Sequence, residues 1–262
     1  MPQGLPGEDH RTRVAPSAVA ADGQIYTPTG DCHPFPTPRP LLTDEVPPLV
    51  EAFAAAAARA RDAGFDAVEV HGAFGYLPDQ FLQSYTNRRD DRYGGPVENR
   101  ARFLLDVAAA VADAWSPDRV GVKLSPSNRH YGIADDDPEA TFGHAVPSRP
   151  RRRPPAPVRH VAETFRPLAP HTPVVANGGF DCDGAQRALD GGLADAVSFG
   201  QLFVANPDLV ERFRRTPPGA PVPLNDPDRA TFYGEGPGGY TYYPTLDADA
   251  VAVARSASPR AA

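Results

Sequence analysis

Lysine is nearly missing from this 262-residue chain: 25 of its 26 basic side chains are arginine, and the one ammonium group is Lys123. The formal net charge is −7, which leaves no basic footprint for nucleic acid or an anionic membrane surface. Cysteine is scarce too. Cys32 and Cys182 form no CxxC pair, so neither a metal centre nor a disulfide framework is expected. No apolar run approaches the roughly 20 residues of a membrane span, and the N-terminus has no apolar stretch of signal-peptide length. These absences leave a cytoplasmic protein acting on small molecules as the expectation.

Proline is what the chain has in excess, at 32 residues, about twice the usual 5% share. Residues 1–42 are rich in Pro and Gly without a period of 2 or 3.6, and read as an irregular lead-in. Beyond them Thr43 suits an N-cap and Pro47 a first helical turn, and the Ala-rich run through Arg61 predicts a helix that Gly64 stops. Phe65 to His71 is short, partly β-branched and bounded by glycine, as a strand is. The same rhythm recurs as a helix over 96–115, the strand Val120 to Leu124, a helix near Val161 to Phe165, the strand Thr172 to Asn177, a helix over 183–189 and the strand Ala194 to Phe199. Helix and strand alternating at this spacing predict parallel βα units. Residues 143–159 break the rhythm, because arginine and proline are packed there too densely for either element, and disorder is expected.

The chemistry-bearing segment runs His71-Gly72-Ala73-Phe74-Gly75-Tyr76, followed by Asn87-Arg88-Arg89-Asp90-Asp91-Arg92-Tyr93-Gly94-Gly95-Pro96-Val97-Glu98-Asn99-Arg100. Taken singly, a strand-end histidine and a loop tyrosine are ordinary packing residues. Together with Val174 to Asp181 and Phe199 to Leu209, this long pattern resembles the old yellow enzyme family of flavin-dependent ene-reductases. The resemblance implies an α/β fold of TIM-barrel type, FMN as cofactor, NADPH or NADH as reductant, and a small electrophilic alkene such as an enone as substrate. It implies that His71 polarises the substrate carbonyl, and that Tyr76 protonates the carbon beside it while reduced flavin supplies hydride to the far carbon. Phe74 and Tyr233 join His71 as substrate-binding positions. Lys123 takes the flavin-ring cation position, and Asn177, Gly178, Gly179, Gly200 and Gln201 the phosphate end, where glycine lets backbone amides approach closely.

The chain also departs from the family pattern. Phe74 stands where a second carbonyl donor is usual, and losing one such donor costs about 2.7–4 kcal/mol of transition-state stabilisation. Lys123 and Gln201 each replace an arginine. Four strands are recognisable against the eight of a closed barrel, so the expectation is a single incomplete β/α-barrel domain over 1–262, truncated before its first three strands and lacking a sixth. Open sheet edges would favour self-association. An inactive remnant that does not bind flavin, or a fragment completed by another polypeptide, are the competing readings.

Overall fold

The first strand pairing among the described residues joins segments far apart in sequence. In the computed structural model, which describes residues 13–26, 31–146, 161–232 and 236–247, four short strands occupy the segment expected to be irregular: β1 (Val14–Ala15), β2 (Gln24–Tyr26), β3 (Cys32–Pro34) and β4 (Arg39–Pro40). β1 runs parallel to β4 and β2 antiparallel to β3. Strands of two or three residues are too short to show a period, so only tertiary pairing reveals them.

The chain divides into two compact units, Met1–Pro170 and His171–Ala262. In the first, α1 (Val46–Asp62) follows a 3-10 turn at Thr43–Glu45 and opens on Pro47 and Pro48, whose missing N–H groups cost nothing in a first turn. Thr43 does not cap it. Its hydroxyl donates instead to Asp91 Oδ2 at 2.5 Å. Gly64, at φ +89°, then lets the chain turn away from the helix. β5 (Val68–Gly72) leads to α2 (Leu77–Leu82), α3 (Val97–Arg100) and α4 (Arg102–Ala114), and β6 (Val120–Leu124) returns parallel to β5 in the register Val70↔Val122, His71↔Lys123. Ala101 keeps right-handed helical dihedrals between α3 and α4, and its N–H donates to Val97 O, so the two form nearly the single helix expected over 96–115.

Phe103, Leu104, Val107 and Val111 recur on one face of α4 and are buried. That face meets Phe81 and Leu82 of α2, Val46 and Ala57 of α1, and Val70 of β5. The Phe81 and Phe103 ring centroids lie 4.6 Å apart, and Phe53 meets Phe103 edge-on at 6.3 Å. α5 (Pro138–Ala145) and α6 (Val161–Phe165) complete this unit. α5 carries helical structure to Ala145, into the stretch expected to be disordered. The rest of that stretch, from 147 on, lies outside the described residues.

The second unit holds β7 (Val175–Asn177), α7 (Cys182–Asp190), β8 (Ala196–Ser198), α8 (Gln201–Ala205) and α9 (Leu209–Arg215), with β7 and β8 parallel. Asp181 caps α7 by accepting the Gly184 N–H at 2.6 Å. Both strands are shorter than expected. Val174 instead exchanges hydrogen bonds with Asp195: its N–H donates to Asp195 Oδ2, and its carbonyl accepts the Asp195 N–H. No described helix is long and apolar enough to cross a membrane.

Candidate active site

Parallel register puts His71 and Lys123 side by side at the C-terminal ends of β5 and β6, the rim on which barrel enzymes carry their chemistry. The chain then reverses at once. Phe74 (φ 54°) and Gly75 (φ 78°) are consecutive left-handed residues, and the Tyr76 N–H donates back to Ala73 O at 3.2 Å. Positive φ at both central residues marks a type I′ turn, where asparagine or glycine is usual and phenylalanine is strained. Gly75 has a second constraint, because a Cβ there would lie 3.1 Å from Ile133 Cγ1.

Side chains hold three of the polar backbone groups that this reversal leaves open. The Phe74 N–H donates to Ser125 Oγ at 2.8 Å, the Gly75 N–H to Asp79 Oδ2 at 2.9 Å, and Gln80 Nε2 donates to Gly75 O at 2.6 Å. The result is a compact aromatic cluster. Tyr76 and His71 meet edge to face with centroids 4.8 Å apart, Phe74 stacks with the imidazole at 6.3 Å, and Lys123 Nζ lies 5.7 Å from the Phe74 ring centroid. That last distance is within reach of a cation–π contact.

The electrostatics follow from this packing. Burial, seconded by the Lys123 ammonium, pushes the His71 imidazole below its ordinary value of 6.5, while Glu69 and a hydrogen bond with the Ala73 backbone pull it the other way. Neutral imidazole is therefore favoured. Its Nε2 is buried and has no hydrogen-bond partner among the described residues, which leaves a polar atom for a ligand to satisfy. Asp79 is fully buried. Its carboxyl is pushed up to about 6 by that burial, against the Gly75 N–H and the Gln83 amide, with Asp135 adding to the rise.

In the second unit, Asn177 ends β7 and its amide donates to Ser198 O at 3.0 Å and Ser198 Oγ at 2.9 Å, so it ties the two strand ends together. Gly178 (φ 117°) and Gly179 (φ 69°) follow, and a Cβ at either, or at Gly200, would have no neighbour within 4 Å. Exposed Gln201 opens α8. Tyr233 lies outside the described residues. His71, Phe74, Tyr76 and Lys123 thus come together in the first unit, and Asn177, Gly178, Gly179, Gly200 and Gln201 belong to the second. Sequence reasoning missed Ser125, Asp79 and Gln80. Of these only Asp79 leaves a signal, an acid three residues after the residue that caps α2.

A model of the NADH:flavin oxidoreductase / NADH oxidase family matches residues 5–140. A Leishmania infantum protein named "Probable flavin mononucleotide-dependent alkene reductase" is 41% identical over 89% of this chain, and the chain spans 66% of that relative's length, just under two thirds. Among solved structures, morphinone reductase in complex with tetrahydroNAD superposes with a TM-score of 0.78 at 44% identity, covering 89% of this chain and 66% of that one. The old yellow enzyme homologue from Zymomonas mobilis gives 0.79 at 36% identity, covering 89% of this chain and 68% of that one.

Proposed function

The chain belongs to the NADH:flavin oxidoreductase / NADH oxidase family, and on that premise we propose that it is an FMN-dependent oxidoreductase. It would use NADPH or NADH to reduce the activated C=C bond of a small electrophilic alkene. One observation carries the reading furthest: the buried Nε2 of a His71 kept neutral, without a hydrogen-bond partner among the described residues, in a cluster with Tyr76 and with Lys123 beside it in register.

The residues present suit a flavin in their chemistry. Lys123 offers a cation to the electron-rich ring, and Gly178, Gly179 and Gly200 offer open backbone to a phosphate, with Asn177 and Gln201 beside them. FMN, when bound, supplies two-electron reducing equivalents. The protein's own part is polar and steric. His71, in the neutral tautomer that carries its one proton on Nε2, donates a hydrogen bond to the substrate carbonyl oxygen, drawing electron density from the conjugated double bond. Tyr76 delivers a proton to the carbon next to that carbonyl, and Phe74 and Tyr233 bound the substrate. The Phe74 ring gives no second hydrogen bond to the developing enolate beside the one from His71.

We read the architecture as part of a β/α barrel in which the two described parallel pairs, β5 with β6 and β7 with β8, supply four of the eight strands. Exposed Val122 and Val175 on these strands support self-association wherever such edges remain open, and the scarcity of cysteine supports a reducing compartment such as the cytoplasm. The test is direct: add FMN to the purified chain, then follow bound-flavin absorbance and NADPH-dependent loss of enone absorbance. A yellow protein that consumes enone supports the proposal. A colourless chain that leaves both NADPH and enone untouched rejects it in favour of an inactive remnant.

A further inference from the structure

The turn from Ala73 to Tyr76 is held from two directions that the reaction itself does not use. Left-handed backbone at a phenylalanine persists only where surrounding groups enforce it, and two buried side chains do so. Ser125 comes from the loop after β6, two residues beyond Lys123, and takes the Phe74 N–H. Asp79 comes from the first turn of α2 and takes the Gly75 N–H, while its other oxygen accepts from the Gln83 amide at 3.1 Å. Both acceptors grip the residues immediately before Tyr76. Tyr76 precedes α2 in extended conformation, and its carbonyl accepts the Gln80 N–H. The backbone that carries its ring is therefore fixed by the turn behind it and the helix ahead of it.

We propose that Ser125 and Asp79 are positioning residues for the Tyr76 phenol, fixing the reverse turn that lays it edge to face with His71. This rests on the reading of Tyr76 as the proton donor. Loss of either acceptor frees one backbone N–H, lets Phe74 leave the left-handed region, and swings the phenol off the imidazole. A protonated Asp79 is a weaker acceptor for the Gly75 N–H than an ionised one, so the grip also loosens in acid. The groups facing Asp79 are the Gly75 N–H, the Gln83 amide and the Asp135 carboxylate. Those facing the His71 end are Lys123 and Glu69.

The test uses the flavin-free full chain carrying 3-fluorotyrosine, read by 19F NMR. The Tyr76 resonance is assigned by its loss in Tyr76→Phe, and that of Tyr93, 2% exposed in the core, serves as the reporter of folding. Ser125→Ala and Asp79→Ala are expected to shift the Tyr76 resonance as its ring leaves the His71 imidazole, while Tyr93 stays in place. Asp79→Asn keeps an acceptor oxygen at the same site. It is expected to hold Tyr76 at a position that no longer depends on the charge of residue 79, and so to remove the part of its pH-dependent movement centred near 6, leaving only the step that belongs to His71.

An unmoved Tyr76 resonance in Ser125→Ala overturns the proposal, and so does an Asp79→Asn titration curve superimposable on the wild type. If Asp79→Ala disturbs Tyr93 and so fails to fold, these two outcomes still decide. Because no flavin is present, failure to bind FMN leaves this result standing, and a freely moving Tyr76 leaves flavin binding to be judged separately.

Discussion

The rings of Tyr76 and His71 meet edge to face at 4.8 Å between centroids and 85° between planes, although the two residues leave the strand end in sequence five positions apart. A reverse turn brings the phenol back beside the strand it has just left. Proton donor and carbonyl-polarising donor, as proposed here, thereby occupy one small volume with Lys123 beside them.

Replacing Lys123 with glutamine removes the positive charge beside His71 and keeps the bulk. The His71 titration midpoint is expected to rise toward 6.5 and to stay below it, since burial, the larger cause of its depression, is unchanged. Ring-proton NMR shifts measure it. The same depression has a stability consequence: the His71 contribution is complete above the unfolded value of 6.5 and is lost as pH falls through the lower folded value. An unmoved midpoint in Lys123→Gln would separate the two side chains electrostatically.

Phe74→Asn is expected to stabilise the protein, by about 0.5–1 kcal/mol. Relief of left-handed backbone at a non-glycine residue is worth about 1–2 kcal/mol. The lost cation–π contact with Lys123 is worth about 0.5–1 kcal/mol at a partly exposed ring, so conformational relief wins. Urea unfolding at pH 7 checks it, and Phe74→Val, β-branched and worse in this region, should unfold more easily than the wild type.

Asp79 makes stability depend on pH. Its folded value near 6 lies above the ordinary 3.8, so its contribution is fully present below 3.8 and is lost as pH rises through 6. The loss amounts to about 3 kcal/mol once the group is ionised. Asp79→Asn has no such term. The stability of that variant relative to wild type should therefore climb between pH 4 and pH 7.5 in guanidinium unfolding, and a flat difference would show that burial does not strain the carboxylate.

In the second unit, the fully buried Arg212 donates to Asp208 Oδ1 at 2.7 Å, Pro223 O at 2.6 Å and Pro244 O at 2.8 Å. Arg212→Met strands a carboxylate and two carbonyls together, and is expected to cost about 3–5 kcal/mol. Thermal unfolding monitored by circular dichroism tests it, with Arg214→Met, whose side chain is mostly exposed, as the control expected to change little.

The alternation of helix and strand was written locally, in apolar spacing and in glycine and proline punctuation. That is why β6 falls on the residues expected, α7 within a residue of its limits, α1 ends within a residue of Arg61 although it starts later than a Thr43 cap would place it, and His71 and Lys123 lie at strand ends. Residue types likewise fixed which groups could polarise, protonate or carry charge. Tertiary structure alone decided how they are held. The Phe74 N–H finds Ser125 at a separation of 51 residues, Thr43 passes over its own helix to reach Asp91, and β1 pairs with β4 across a stretch without periodicity. Such contacts join groups whose local sequence carries no trace of the partner, because hydrogen bonds of this kind depend on where the folded backbone places each atom and not on the residues beside it.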